Sequence, residues 1–189
     1  MIEIEKKFVY DEYKIKNLVK DAVFLKDVRI LNVYFDDEDN SLFKSDIWLR
    51  TRDGNYELKL PLGDNTGEVK SYKELDDLDK IKDALPKSLD SYKPFLKIET
   101  FRTKYKLGEV NIDLDKAIVN GETYFVGEIE IMSSSNDKKS HKVLDDLMKE
   151  YNLEPLKLGK LTLYLKDYNN ELFNELIESG VISKEFLRS

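Results

Sequence analysis

Apolar and polar positions alternate with a period of two along most of this chain, as in strands whose successive side chains point to opposite faces. The alternation predicts strands over residues 2–8, 29–35, 46–52, 56–60, 70–75, 95–107, 109–115 and 123–132. Asp53-Gly54-Asn55 joins two of them as a hairpin. Helical spacing appears elsewhere. Ile15, Leu18 and Val19 predict a helix within 11–23, with Asp11 as its cap. A short helix is predicted over 79–85. A cap-rich loop at 133–137 leads into an amphipathic helix carrying Val143, Leu144, Leu147, Met148 and Tyr151 in phase. Further helices are predicted over 160–168 and 170–179, the second stopped by Gly180. A polar turn is expected at 36–41 and a Gly-rich polar loop at 61–69. No repeat, linker or low-complexity segment interrupts the pattern.

The polar faces of these strands are unusual. Glu3, Glu5 and Lys7 share one face of the first, while Ile2, Ile4 and Phe8 occupy the other. Trp48, Arg50 and Arg52 oppose Ile47, Leu49 and Thr51. Glu57 and Lys59 oppose Tyr56, Leu58 and Leu60. Arg102, Lys104 and Lys106 oppose Phe101, Tyr105 and Leu107. Asp113 and Asp115 oppose Ile112 and Leu114, and Glu128 and Glu130 oppose Gly127, Ile129 and Ile131. A sandwich with its charged faces in water shows the same alternation, but solvated faces usually mix Lys, Glu, Thr and Ser. Here acids recur as i, i+2 pairs, and so do basic residues. The helices need apolar partners, and the strands' apolar faces supply them. The charged faces then turn toward one another, as in a closed antiparallel barrel with a wet, charged interior. Such an interior is costly unless its charges are paired or bound to ligand and metal.

Composition narrows the chemistry. At 189 residues the chain is long enough for one domain, 1–189, with a substantial core. Charged residues make up 37% and the net charge is -7, which does not fit a nucleic-acid partner. With no cysteine there is neither a disulfide nor a thiol nucleophile. His141 is the sole histidine and lies in a charged helical stretch, so histidine-based phosphoryl transfer is not expected. Gly159-Lys160 is followed by Leu161 and makes no Walker-type loop. No signal-peptide pattern and no membrane-spanning apolar run are seen, so a cytoplasmic protein with no membrane partner is expected.

One ligand class matches both signs of charge. A polyphosphate is strongly anionic and is normally carried as a Mg²⁺ complex. Arg contacts phosphate oxygens in bidentate fashion and Lys offers a compact charge. Paired carboxylates suit a hard divalent cation that keeps several waters. Together they would stabilise the charge of phosphoryl transfer.

The same residues form an ordered set that resembles the CYTH superfamily, the triphosphate tunnel metalloenzymes. After Glu3-x-Glu5-x-Lys7 come Tyr34-Phe35-Asp36, Trp48-Leu49-Arg50-x-Arg52, Glu57-Leu58-Lys59 and Tyr72-Lys73-Glu74-Leu75. Arg102, Asp113-x-Asp115, Gly127-Glu128-Ile129-Glu130 and Lys160 ahead of Tyr164-Leu165 complete it. Within the superfamily the chain is most similar to the thiamine-triphosphatase branch, through 46–50, 57–61 and 72–75. Tyr56 departs from the tryptophan of animal members.

The resemblance implies an α+β fold, an eight-stranded antiparallel barrel forming a tunnel with a charged interior and helices packed outside. It also implies roles. Glu3, Glu5, Asp113, Glu128 and Glu130 would belong to the metal side, holding Mg²⁺ or Mn²⁺, with Asp115 behind Asp113. Lys7, Arg50, Arg52, Lys59, Arg102 and Lys160 would grip the triphosphate, with Glu74 orienting basic residues. Glu3, Glu5 or Glu130 would position the attacking water, and Trp48 would stack on a thiazolium ring or pack at the barrel mouth. The implied activity is a thiamine-triphosphatase-like phosphohydrolase, acting on a triphosphate-bearing small molecule as a monomer or dimer. An inorganic triphosphatase, a class IV-type adenylyl cyclase, a non-catalytic polyphosphate-binding module and a purely structural barrel are the alternatives.

Overall fold

The computed structural model describes residues 2–13, 15–63, 69–135 and 138–185. Among them, eight strands follow one another as β1 (Ile2–Val9), β2 (Val23–Asp36), β3 (Trp48–Arg52), β4 (Asn55–Pro61), β5 (Val69–Leu75), β6 (Lys93–Leu107), β7 (Val110–Val119) and β8 (Glu122–Ser133). Five helices accompany them: α1 (Lys16–Asp21), α2 (Leu78–Ala84), α3 (Lys138–Glu150), α4 (Lys160–Tyr168) and α5 (Asn170–Glu178). The strands close into an antiparallel barrel in the order β1-β5-β4-β3-β2-β6-β7-β8, with β8 pairing back onto β1. Closure leaves no edge strand open to another chain.

Turn chemistry sets the register. Arg52 pairs with Asn55, so the β3–β4 connection is the two-residue turn Asp53-Gly54, at φ 50° and 90°. Both residues are left-handed, as a type I′ turn requires, and Gly54 reaches that region without a Cβ penalty.

The predicted strands are all present, some with shifted ends. β2 begins at Val23 rather than 29, and β7 runs on to Val119. Val23, Phe24 and Leu25 are consecutive, exposed apolar residues, so a period of two is absent there. Pairing with the far half of β6 makes them strand, across a bulge between Phe24 and Lys26. The first helix is correspondingly shorter than 11–23. Its N-cap is Ile15, and the Asp11 carboxylate instead accepts a bond from the Tyr13 backbone N–H at 2.8 Å, in the turn ahead. Most of the loop expected at 61–69, and residues 136 and 137 of the cap-rich loop at 133–137, lie outside the described residues.

Helices cover the barrel's apolar surfaces. α1 and α3 supply Leu18, Leu144, Leu147 and Met148 against Ile4, Phe8, Ile112 and Ile129. α2 sets Ile81 on Leu49 and Leu58. α4 and α5 pack differently. Their Leu161, Leu165, Leu172 and Phe173 meet Leu96, Ile98, Ala117 and Val119. Strand parity puts Leu96 and Ile98 on the same face of β6 as Arg102, and Ala117 and Val119 on the same face of β7 as Asp115. The inner face of the barrel is thus charged along part of its length and apolar toward one end. α4 and α5 lie across that apolar end.

Gly127 of β8 lies opposite Phe8 of β1, which is fully buried. A Cβ at residue 127 would overlap the Phe8 ring. Gly127→Ala is expected to cost about 1–3 kcal/mol through overpacking, read from denaturant unfolding. Phe8→Leu in the same chain should recover part of that loss. An unchanged midpoint for Gly127→Ala would contradict this packing.

Candidate active site

The charged inner faces meet rung by rung. Across β1 and β8, Lys7 faces Glu128 and Glu5 faces Glu130. Across β6 and β7, Arg102 faces Asp115 and Lys104 faces Asp113. Arg50 faces Glu57, Lys59 faces Glu74, and Lys70 faces Glu5. They surround a cavity of about 190 Å³. Among the described residues, eight basic side chains line it: Lys7, Arg50, Arg52, Lys59, Lys70, Arg102, Lys104 and Lys160. So do five carboxylates, Glu3, Glu5, Glu74, Glu128 and Glu130. Three more, Glu57, Asp113 and Asp115, bond to these cations without lining the cavity.

The ion pairs are dense. Arg102 donates to Asp115 through Nε and Nη2 at 2.6 Å each, to Glu128 at 2.9 Å and also to Asp113. Lys160, the first residue of α4, reaches Asp115 and stands 3.3 Å from Glu128. Arg50 donates to Glu57 at 2.8 Å, and Arg52 stands 3.4 Å from the same carboxylate. Lys59 joins Glu3, with Glu74 at 3.1 Å and Glu5 at 3.9 Å, and Lys7 joins Glu5.

These contacts split the titration of the two β8 acids. Burial works against the charge of Glu128, but Lys160, Arg102 and Lys7 overcome it and hold the carboxyl well below the usual range. Glu130 goes the other way. Burial, then the charge of Glu3 and a hydrogen bond with it, push its carboxyl up to about 8. A carboxyl raised in this way by a neighbouring acid marks a place of excess negative charge. Burial would lower Lys7, and Glu5 and Glu128 reverse that and raise it. Lys70 is lowered by burial and by neighbouring Lys7.

Glu3, Glu5, Lys7, Trp48, Arg50, Arg52, Lys59, Arg102, Glu128, Glu130 and Lys160 all line one cavity. Asp113, expected on the metal side, is fully buried behind Arg102 and Lys104 and does not line it. Among the described residues no three carboxylates converge as a ready-made metal cage. Lys7 and Lys59 stand among Glu3 and Glu5 instead. Trp48 stacks on Phe43, with centroids 5.4 Å apart, and its Nε1 donates to Asp46 at 2.9 Å. The sequence reading missed Lys70, the first residue it assigned to its strand, and Asp46, whose side-chain partners Trp48 and Tyr72 come from two different strands. Lys70 was detectable as the inward residue two positions before Tyr72. It also left out Lys104, although Lys104 shares a face with Arg102.

Glu130 makes stability depend on pH. An unfolded glutamate titrates near about 4.3. From there up to about 8 the folded protein keeps a proton that the unfolded chain has released, so stability falls as pH rises through this window. In metal-free buffer, Glu130→Gln should melt like the parent near pH 4 and at a higher temperature at pH 9. The gain should be about 2–4 °C for each kcal/mol relieved. Equal melting temperatures at pH 9 would show that Glu130 is not under this strain.

Comparison with known proteins agrees with this architecture. Solved structures sharing the fold include a conserved protein of Pyrococcus furiosus, at 20% identity and TM-score 0.60, covering 85% of this chain and 99% of that one. The PH1819 protein of Pyrococcus horikoshii OT3 aligns at 22% identity and TM-score 0.62, covering 87% and 99%. HpAC1 of Hippeastrum, whose structure is described as revealing a dominant triphosphatase activity, aligns at 15% identity and TM-score 0.56, covering 88% and 95%. At these identities the likeness is one of fold. No curated protein matches the chain. Among the described residues no helix is long and apolar enough to cross a membrane. The family profile for the CYTH domain matches residues 1–160, taking in all eight strands and Lys160, and the chain belongs to that family.

Proposed function

We propose that the barrel binds a triphosphate together with a divalent cation and hydrolyses it, and that thiamine triphosphate is the substrate, yielding thiamine diphosphate and phosphate. The observation that carries this reading is the charge balance of the cavity. Its eight basic side chains are matched by five lining carboxylates and three behind them. A bare triphosphate would add several negative charges to a site already near neutrality. A cation entering with it restores the balance.

The residues present fit such an ion. They are hard oxygen donors, and the crowding of Glu130 by Glu3, which raises the Glu130 carboxyl, is the kind of excess negative charge that a cation would relieve. Mg²⁺ is commonly bound by one or two carboxylates, waters and substrate phosphates rather than by an all-protein cage. Glu3, Glu5, Glu128 and Glu130 would hold it, with Asp113 bracing Arg102 and Lys104 from behind. When bound, the ion supplies charge neutralisation at the phosphate oxygens.

The chain's own residues do the rest. Arg50 and Arg102 present guanidinium groups already oriented by carboxylates, so little reorganisation is needed as charge develops on the phosphate. Lys7, Lys59 and Lys160 hold the phosphate chain along the cavity. Water attacks the terminal phosphorus as the bond to its bridging oxygen breaks. A carboxylate of this wall, Glu3, Glu5 or Glu130, would position the water and take its proton.

The cavity, at about 190 Å³, is smaller than the roughly 300–1,000 Å³ of pockets that enclose a whole organic ligand. This size suits the phosphate chain, and on this proposal the organic group lies against Trp48, which lines the cavity. The same size favours a second reading, an inorganic triphosphatase, in line with the activity described for HpAC1.

Phosphate release with Mg²⁺ from thiamine triphosphate, inorganic triphosphate and ATP decides between these. We expect the highest kcat/KM for thiamine triphosphate, and a loss of about 10²–10³-fold in kcat for Arg50→Ala. Trp48→Ala should raise the KM for thiamine triphosphate by about 2–30-fold, the range of a cation–π contact, with a smaller change for inorganic triphosphate. Turnover of inorganic triphosphate alone would overturn the thiamine assignment. No turnover of any of the three would overturn hydrolysis.

A further inference from the structure

Asp46 is a buried acid that none of the steps above uses. It follows the 3₁₀ turn at Phe43–Ser45 in the left-handed region, at φ 57°. Aspartate and asparagine tolerate this region better than most side chains. A carboxylate buried there needs partners for its charge. Its Oδ1 accepts two hydrogen bonds, from Trp48 Nε1 at 2.9 Å and from the Tyr72 hydroxyl at 3.0 Å. Both aromatic residues line the cavity. Phe43 covers one face of the Trp48 ring, and Lys59 lies over the Tyr72 ring at 5.5 Å. One carboxylate thus fixes two aromatic walls that come from different strands.

We infer that Asp46 is a specificity-determining positioning residue, which holds Trp48 and makes its ring attractive to a planar organic cation carried by the triphosphate. The geometry supplies the holding: the indole is pinned by its N–H on one side and by Phe43 on one face. The charge supplies the preference. An indole that donates to an anion gains electron density in the ring, which strengthens its attraction for a cation over its face. The carboxylate also adds its own negative charge beside that ring. A neutral heterocycle, such as the adenine of ATP, gains nothing from either effect. This inference rests on the reading of Trp48 as the surface that meets the organic group.

Two variants separate the parts. Asp46→Asn keeps an acceptor oxygen and suits the left-handed backbone, but removes the charge. Asp46→Gly suits the backbone equally and removes both. Trp48 is the chain's single tryptophan, so its fluorescence reports this contact directly. We expect Asp46→Gly to red-shift the emission and lower its anisotropy, while Asp46→Asn leaves both near the parent values. Both variants should weaken quenching of Trp48 by thiamine diphosphate, Asp46→Gly by about tenfold and Asp46→Asn by less. The KM for thiamine triphosphate should rise relative to that for inorganic triphosphate in the same order. Unchanged emission and quenching in Asp46→Gly would overturn the inference. So would equal KM increases for thiamine triphosphate and inorganic triphosphate, which would place Asp46 in the general support of the barrel. If the parent protein itself shows no preference for thiamine triphosphate, the substrate assignment fails, and emission and quenching by thiamine diphosphate still decide the role of Asp46. A melting curve for each variant confirms folding, and Asp46→Asn alone carries the test if Asp46→Gly does not fold.

Discussion

A carboxylate or an ammonium taken out of water costs several kcal/mol unless a partner replaces the lost hydration. The inner face of this barrel takes in more than a dozen such groups, and everything else follows from how they are matched. Arg102 answers with contacts to three carboxylates, Asp113, Asp115 and Glu128. Lys59 does the same for Glu3, Glu5 and Glu74. On the function proposed above, a triphosphate enters largely by exchange, taking over cations that carboxylates now hold. Each exchange releases a carboxylate, and a divalent cation is the species that can occupy the carboxylates so freed. Affinity for the anion and affinity for the metal are in this way two sides of one balance.

The division of apolar surface makes the arrangement possible. The outer faces of the strands are spent on α1, α2 and α3, which keeps the charged faces inward. Toward one end the inner face itself turns apolar, and α4 and α5 bury their leucines there. That anchorage delivers Lys160 from the first position of α4 to Asp115 and Glu128. A hydrophobic contact between elements far apart in the chain thus places one cation of the site.

Much of this was legible in the sequence because a period of two assigns faces without any knowledge of the fold. Once Ile4 and Phe8 face out, Glu3, Glu5 and Lys7 face in, and the same parity places Arg50, Lys59, Arg102 and Glu128. What parity cannot tell is depth. Asp113 and Glu128 share the inner side, yet Asp113 is screened from the cavity by the long side chains of Arg102 and Lys104. Nor does parity see beyond strands. Asp46 sits in a turn, and its partners on β3 and β5 are brought together only by barrel closure. The position of α4 and α5 at one end was hidden for a related reason. Leu96 and Ile98 continue the face that carries Arg102, so they read as exceptions to a charged face rather than as a second surface.

Calorimetry tests the coupling between anion and metal inside this charge-balanced barrel without relying on turnover. A non-hydrolysable imido analogue of inorganic triphosphate is titrated into the protein with Mg²⁺ and, separately, with the metal chelated. One site is expected, with affinity about tenfold or more tighter in the presence of Mg²⁺, a coupling within the usual range of roughly 1–3 kcal/mol between linked ligands. Equal affinity in the two titrations would contradict it, because the basic residues would then bind the anion without need of a cation to take up the carboxylates they leave.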